Sequence, residues 1–198
     1  EIMPSLVGSE MCIRDRGQED RYIFGFEESY GYLAGSYVRD KDAVVASMLI
    51  CEMAAFYRTK GISLIQAREN MYKKYGVYVH SQSSFVCEGV TGMERMKEIM
   101  SDLRTNTPKT IGGLTVTRFE DYLASTSVDT ATGAKTMLTL PKSDVLTFKL
   151  TDGASVIIRP SGTEPKIKAY YTTTGTTKAE AAALEKTISD DFAKILGF

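Results

Sequence analysis

The sequence predicts an α/β part-domain followed by an α+β domain that has a mainly antiparallel sheet and two helices. Three observations lead to this fold class. Residues 17–75 contain one strand-like segment and two helix-like segments. Residues 77–198 contain several short segments of alternating polarity, separated by turns, and two amphipathic stretches. The composition, 43% hydrophobic and 25% charged, is that of an ordinary globular protein.

The first part of the chain carries the elements of an incomplete domain. Residues 21–26 are predicted to form a strand that runs into a turn rich in Glu, Ser and Gly. Asp40 can cap a helix over residues 41–59, which is apolar nearly all round and is therefore expected to be buried between other elements. Ser63 opens a second helix over residues 63–74. Because these elements are too few to bury the first helix, we expect part of this domain to be missing.

The second part of the chain is predicted to be the α+β domain. Strands are expected at residues 77–87, 114–119, 145–150, 155–159 and 166–173, and helices at residues 93–104 and 177–196. Asp152 and Gly153 form a two-residue hairpin turn, and residues 130–133 form a loop. Thr177 and Glu180 have the spacing of a capping box at the start of the last helix.

Charge and cysteine usage exclude several classes of function. The formal net charge of −1 gives no basic excess, so neither nucleic acid nor a membrane surface is expected as a partner. The three cysteines are widely spaced and lack a C-x-x-C pair, which argues against a disulfide framework or zinc site and favours a cytoplasmic location. The longest apolar run, residues 43–56, is too short to span a bilayer. The single histidine, His80, is expected at the surface.

Residues 1–16 are expected to be a non-native lead-in. They have no hydrophobic period that continues into the following segment, and they do not fit a signal peptide. They resemble a translated sequencing-adapter sequence, so we leave them out of the fold prediction. On this interpretation the chain is a truncated reading frame, and the alternative is a native but irregular lead-in.

Residues 159–165 (RPSGTEP) are predicted to bind a phosphate group. Arg159 offers a planar fork of donors that suits phosphate oxygens, and Ser161 and Thr163 add hydroxyl donors. Gly162 allows backbone N–H groups to turn towards an anion. The alternative is a plain β-hairpin turn, since turns also favour Pro, Ser and Gly.

Charged residues beside this segment bear on the same prediction. Lys166 and Lys168 follow on the next strand and supply further positive charge. Glu164 would repel a phosphate, so we expect its side chain to point away and to hold a neighbouring basic residue in place.

Residues 25–31 (GFEESYG) are the second candidate segment. Glu27 and Ser29 place a carboxylate and a hydroxyl on a turn after a strand, and carboxylates accept hydrogen bonds from the hydroxyl groups that a sugar presents. Lys41 follows at the start of the next helix, where a helix N-terminus also favours anions. On residue type alone, sugar binding, acid–base catalysis, metal ligation and plain solvation all remain open.

Together, the segments FGFEESYGYLAG, RDKDAV and RPSGTEPKIK resemble the α-D-phosphohexomutases, the phosphoglucomutase/phosphomannomutase superfamily. The resemblance covers residues 18–198, and FEESYG followed by DKDAVVASMLICEMAA looks closest to the bacterial phosphoglucomutase and phosphopentomutase-like branch. It implies that residues 17–75 are the C-terminal part of the sugar-binding third domain and residues 77–198 the phosphate-binding fourth domain. The parent protein would be an isomerase that interconverts hexose 1-phosphate and hexose 6-phosphate through a bisphosphate.

The resemblance also implies roles for individual residues. Sugar hydroxyls would be bound by Glu27 and Ser29, with Lys41 assisting, and the phosphate that is not transferred would be held by Arg159, Ser161, Gly162 and Thr163. The family's phosphoserine and its Mg²⁺-binding Asp-rich loop belong to its first two domains, and a sugar 1,6-bisphosphate serves as intermediate and activator. Neither a Ser-His nor an Asp-Gly-Asp motif occurs in this sequence. We therefore expect no catalytic residue and no metal ligand here, and an inactive piece.

The resemblance leaves the partners and the exact substrate open. The expected partners are a phosphosugar and the missing N-terminal domains of the same protein, and no oligomeric state is predicted. Glucose, mannose and pentose phosphates are not separated, because they differ by one hydroxyl group or one carbon. A stand-alone, non-catalytic phosphosugar-binding module is the alternative function.

Overall fold

The computed structural model describes residues 17, 21–27, 30–38, 40–89, 91–162 and 164–198. The chain divides into two compact units, Glu1–Asn70 and Met71–Phe198. The predicted fold class is confirmed, since helices and a β-hairpin in the first unit are followed by helices and an antiparallel sheet in the second. None of the helices in the described ranges is long and apolar enough to cross a membrane.

The first unit begins with a short β-hairpin. Strand β1 (Phe24–Phe26) pairs antiparallel with strand β2 (Tyr32–Ala34). The chain reverses direction between them, and the Glu27 amide donates a hydrogen bond to the Gly31 carbonyl at 2.8 Å. The sequence predicted a strand from residue 21 followed by a turn, so it missed β2. The segment was too short and too rich in Gly to reveal a returning strand.

Helix α1 (Ala43–Thr59) begins at a different capping residue from the one that the sequence predicted. Asp42, and not Asp40, is the N-cap, because its Oδ1 accepts hydrogen bonds from the amides of Val44 and Val45 at 2.9 and 3.0 Å. The Asp40 carboxylate instead accepts from the amide of the adjacent Lys41 at 2.6 Å. The prediction was wrong because both aspartates fit the sequence pattern, and only the backbone path decides which one faces the free N–H groups.

Helix α1 is not buried by the described part of the chain, which agrees with the expectation that the elements present are too few to cover it. None of its residues is buried, and Val44 and Phe56 are 81% and 54% exposed. Helix α2 (Leu64–Tyr75) likewise has no buried residue. Within the first unit the described elements are helices and a hairpin of two three-residue strands, which offer too little surface to cover an apolar helix.

The second unit is built on one antiparallel sheet with the strand order β3-β10-β9-β8-β5-β6-β7, and β4 pairs with β5. The strands are β3 (Val77–Val86), β4 (Thr110–Ile111), β5 (Leu114–Asp121), β6 (Thr126–Asp129), β7 (Lys135–Met137), β8 (Leu146–Leu150), β9 (Ser155–Pro160) and β10 (Lys166–Gly175), and the helices are α3 (Gly92–Thr105) and α4 (Lys178–Ile195).

Most local predictions for this unit are confirmed. Asp152 and Gly153 have φ angles of 57° and 72°, which are the left-handed values that a two-residue hairpin turn requires. The capping box is present, with Thr177 and Glu180 bonded to each other's backbone amide. His80 is exposed, as predicted. The sequence missed β4, β6 and β7, which are short and do not alternate clearly between polar and apolar residues.

One hydrophobic core lies between the sheet and its two helices. It combines apolar residues of α3 and α4 with alternate residues of the central strands, namely Met96, Ile99, Met100, Leu103, Ile188, Phe192, Phe148, Val156, Ile158, Ile167, Ala169 and Tyr171. In β10, the residues with odd numbers from Ile167 to Thr173 are buried and those with even numbers are partly exposed. The even-numbered residues therefore lie on the face of the sheet opposite the core.

Candidate functional site

The predicted phosphate-binding segment is the hairpin loop between β9 and β10, which we call the phosphate loop (residues 159–165). The Ser161 amide donates to the Lys166 carbonyl at 2.8 Å, and the Lys166 amide donates to the Glu164 carbonyl at 2.7 Å. The alternative interpretation as a hairpin turn is therefore correct as a description of its geometry. A hairpin turn and a phosphate site are compatible, since a tight loop holds its polar groups in a fixed arrangement.

Arg159 lies at the start of the phosphate loop and is held by Tyr170 on the next strand. Its Nε and Nη2 atoms lie 3.3 and 3.2 Å from the Tyr170 hydroxyl, and its Cζ lies 5.8 Å from the centre of the ring. Lys168 is the residue directly opposite Arg159 in the strand pairing. Two cationic side chains thus begin from neighbouring strands, on the face of the sheet opposite the core.

Glu164 is the acidic residue of the phosphate loop, and its carboxylate forms an ion pair with Lys166. A hydrogen bond from Lys166, and then the charges of Lys166 and Lys168, hold the pKa of Glu164 below its usual value. This agrees with the expectation that Glu164 is turned to a basic neighbour. An exposed pair of this kind contributes little to stability, but it offsets a negative charge that would repel an anion.

The remaining residues of the phosphate loop are Ser161, Gly162 and Thr163. A Cβ atom placed on Gly162 would meet no heavy atom of the described residues within 4 Å, so the space above this backbone is open. Gly162 is not among the glycines with a positive φ angle, so the backbone conformation does not require glycine there. The open approach to the backbone is the feature that glycine supplies. Thr163 lies outside the described residues.

The second candidate segment is the turn that joins β1 and β2, together with the start of α1. The ammonium group of Lys41 lies 3.7 Å from the Glu27 carboxylate, and the Glu27 side chain is 16% exposed. A Cβ atom on Gly31 would lie 2.6 Å from the Lys41 side chain, so the absence of a side chain there makes room for the lysine stem. The structure therefore brings Glu27 and Lys41 together, and Ser29 lies outside the described residues.

Two carboxylates lie near the ammonium group of Lys41. Its ammonium group bonds to Asp40 at 3.3 Å, and this bond, followed by the charge of Glu27, raises the pKa of Lys41 above its usual value. A lysine with a raised pKa is poorly suited to act as a general base at neutral pH. It is well suited to hold an anion or a hydroxyl oxygen.

Tyr170 and Gly31 are two contributors to these segments that the sequence interpretation missed. For Tyr170 a signal existed, because Lys166, Lys168 and Tyr170 alternate along a strand and therefore share a face. Gly31 gave no signal beyond the frequent occurrence of glycine in turns. In the part of the chain that the structure describes, no three His, Cys, Asp or Glu side chains come together where they could hold a metal ion.

Comparisons with known proteins match both parts of the chain to one family. Residues 2–75 match the family model described as "Phosphoglucomutase/phosphomannomutase, alpha/beta/alpha domain III", and residues 96–190 match that of the "Phosphoglucomutase/phosphomannomutase, C-terminal domain". The chain is 39% identical over 158 residues to a phosphoglucomutase of Staphylococcus aureus and 37% identical to one of Staphylococcus epidermidis. These alignments cover 80% of this chain but only 28% and 29% of the two relatives.

A solved structure supports the same fold. The crystal structure of pp63/parafusin from Paramecium, described as a phosphoglucomutase in its open form, matches with a TM-score of 0.63 at 18% identity. The match covers 93% of this chain and 31% of that protein. The chain therefore belongs to the phosphoglucomutase/phosphomannomutase family, in which it corresponds to the C-terminal portion and resembles the bacterial phosphoglucomutases.

Proposed function

We propose that this chain is the C-terminal piece of a cytoplasmic phosphosugar mutase of the phosphoglucomutase type. The parent enzyme would interconvert hexose 1-phosphate and hexose 6-phosphate through a sugar 1,6-bisphosphate. The observation that carries the proposal is the arrangement at the phosphate loop. There Arg159 is held in place, the Gly162 backbone is open to approach, and the one acidic side chain is paired with Lys166.

The phosphate loop would bind the phosphate that is not transferred. Arg159 would donate two parallel N–H bonds to it, and Ser161, Gly162 and Thr163 would add hydroxyl and backbone donors. Donors of this kind recognise a phosphate group without reading the rest of the sugar. The same loop could therefore hold either end of a bisphosphate when the intermediate turns around between the two half-reactions.

The segment around Glu27 would bind the hydroxyl groups of the sugar. The Glu27 carboxylate accepts hydrogen bonds, Ser29 can donate or accept, and the Lys41 ammonium group donates. The pairing of Lys41 with Glu27 at 3.7 Å supports a role in which the lysine orients the carboxylate and also meets the substrate. A role of Lys41 as a general base is less well supported, because its pKa is raised above its usual value.

The reacting phosphoryl group would be handled by residues outside this chain. The family's phosphoserine and Mg²⁺ supply the transfer chemistry, and the described residues offer no cluster that fits a magnesium site. We therefore assign no step of the transfer to this chain, and we propose that it does not turn over substrate alone. A measurable conversion of glucose 1-phosphate by the purified 198-residue chain would contradict this.

The decisive experiment uses the full-length parent enzyme in a coupled assay. Arg159→Ala should lower kcat/KM for glucose 1-phosphate by the equivalent of about 2–4 kcal/mol, because a charged partner of the phosphate is lost. Lys149→Ala is the matched control, since Lys149 is an exposed basic residue on β8 of the same unit. Unchanged kinetics for Arg159→Ala would remove this residue from the site. Parallel assays with mannose 1-phosphate and ribose 1-phosphate would identify the substrate.

A stand-alone phosphosugar-binding module is the second candidate function. It is favoured by one observation, namely that the second unit has its own hydrophobic core and carries the whole phosphate loop. The genomic sequence upstream of residue 18 distinguishes the two candidate functions. An in-frame Ser-His and Asp-Gly-Asp region supports the mutase, whereas a genuine start codon near Met11 supports the module.

A further inference from the structure

The contact between Arg159 and Tyr170 is specific to one edge of the guanidinium group. Nε and Nη2 lie 3.3 and 3.2 Å from the same hydroxyl oxygen. A hydroxyl oxygen has two lone pairs and can accept both N–H groups at once. The ring of Tyr170 lies against the same guanidinium, with its centre 5.8 Å from Cζ.

This choice of edge decides which donors are left for a ligand. A guanidinium group has two edges with parallel pairs of N–H bonds, one formed by Nε and Nη2 and the other by Nη1 and Nη2. A phosphate that is bound by two parallel hydrogen bonds occupies one such edge. Since the Tyr170 hydroxyl lies at the Nε edge, the Nη1–Nη2 edge is the one that can meet a phosphate.

Tyr170 is well placed to hold the arginine, because the sheet fixes both residues. Tyr170 lies in the middle of β10 and is paired with Ile157 on one side and Gln82 on the other. Arg159 lies opposite Lys168, so Arg159 and Tyr170 form a diagonal pair that long and aromatic side chains can bridge. Arginine has several rotatable bonds, and fixing them before binding reduces the entropy lost when the ligand arrives.

We propose that Tyr170 is a positioning residue of the phosphate loop. It holds the Nε–Nη2 edge of Arg159 and so presents the Nη1–Nη2 edge to the phosphate. This inference rests on the proposed function, in which the phosphate loop binds the phosphate of a sugar phosphate. Tyr170 itself need not touch the ligand.

The test is a titration of the full 198-residue chain with glucose 1,6-bisphosphate, followed by NMR. Tyr170→Phe keeps the ring and removes the hydroxyl, and it should raise Kd about 3- to 10-fold, the range expected for one hydrogen bond. Tyr78→Phe is the matched control, because Tyr78 is an exposed tyrosine on the neighbouring strand β3, stacked on His80. Its Kd should equal that of the unmodified chain.

A second readout detects positioning without any ligand. The Nε–H signal of Arg159 should exchange slowly with water in the unmodified chain and in Tyr78→Phe, and rapidly in Tyr170→Phe. A general loss of stability would affect many signals and would not single out this one. In the Tyr170→Phe background, Arg159→Ala should cause a smaller loss of affinity than it causes alone, because the two residues act together.

The outcomes separate the two proposals. If the unmodified chain and Arg159→Ala bind the bisphosphate equally, the proposed phosphate binding by Arg159 fails and the positioning role fails with it. If Arg159→Ala weakens binding while Tyr170→Phe binds as tightly as the unmodified chain, only the positioning role is overturned. An unchanged Nε–H exchange rate in Tyr170→Phe overturns it too.

Discussion

Helices α1 and α4 have nearly the same length, 17 and 18 residues, but they differ in whether their side chains are buried. Helix α1 is the more apolar in sequence, yet none of its residues is buried. Helix α4 is mixed in composition, yet Ala181, Ile188 and Phe192 are buried against the sheet. Burial therefore depends on the surface that a helix meets, and an apolar sequence alone does not provide it.

The same contrast separates the two units. The second unit has a sheet with two helices packed on one face, and its apolar side chains form one core. Among the described residues of the first unit, Leu33 is the only large apolar residue that is fully buried. Phe24, Phe26 and Phe56 are exposed. We therefore expect the second unit to unfold cooperatively and the first unit of this chain to be prone to association.

The largest expected effect compares one phenylalanine from each helix. Phe192→Ala should destabilise the second unit by about 3–5 kcal/mol, because Phe192 is fully buried and its ring packs against Phe148 and Tyr171. Phe56→Ala should change the free energy of unfolding by less than about 0.5 kcal/mol, because its side chain is exposed. Urea unfolding measures both. Equal losses would contradict this expectation, since α1 would then be buried in solution.

A smaller effect is expected at the charged pairs of the two units. Arg104 donates from Nε to the buried carboxylate of Asp121 at 3.1 Å and also pairs with Asp144. Arg104→Ala leaves the Asp121 carboxylate without its charged partner and should cost about 1–3 kcal/mol. Arg68→Ala disrupts an exposed pair with Glu69 and should cost less than about 0.5 kcal/mol. A salt titration provides a further check, since only the exposed pair should weaken appreciably with added salt.

Acid should weaken the start of α1. A hydrogen bond from Tyr37, and then the amides of Val45 and Val44, hold the pKa of Asp42 below its usual value. A lowered pKa means that the stabilisation is present above the unfolded value and is lost as the pH falls through the folded value. Helix content, measured by circular dichroism, should therefore decrease in this acidic range. Asp42→Asn retains a capping oxygen and should show a smaller dependence on pH, and an identical acid transition in this variant would contradict the assignment.

The smallest expected effect compares the glycines of the two candidate segments. Gly31→Ala should displace the flexible Lys41 side chain from Glu27 with little loss of stability, because a Cβ atom would lie 2.6 Å from it. Gly162→Ala should leave stability unchanged, because its Cβ atom would occupy open space, but it should weaken binding of glucose 1,6-bisphosphate. Side-chain NMR signals of Lys41 and a binding titration measure the two effects. If Gly162→Ala binds normally, a ligand does not approach this backbone.

Local chemistry explains which parts of the fold could be predicted from the sequence. The hairpin turn at Asp152 and the capping box at Thr177 depend on residues within a few positions of each other, so the sequence predicts them directly. Strands β6 and β7 depend on pairing with β5 and with each other, and short polar segments carry no signal of their partner. The cap of α1 at Asp42 depended on a choice between two equivalent aspartates.

The candidate site likewise combines features that the sequence predicts with contacts that it does not predict. The residue types of the phosphate loop and of the turn at Glu27 could be recognised from the sequence, because their chemistry is carried by contiguous residues. The contact of Arg159 with Tyr170 could not, because it depends on the register between β9 and β10. The proximity of Lys41 to Glu27 depends on the path of the chain through Gly31. The roles of all these residues in binding remain predictions.

The alternation along β10 has a consequence for how this strand can change. Tyr170 and Tyr171 are adjacent in sequence, but Tyr171 is fully buried in the core and Tyr170 lies on the other face. The odd positions are therefore constrained by the packing of the core, whereas the even positions are not. Substitutions at the even positions, which include Lys166, Lys168 and Tyr170, should disturb the core less than substitutions at the odd positions. A single inserted or deleted residue would exchange the two sets and damage both at once.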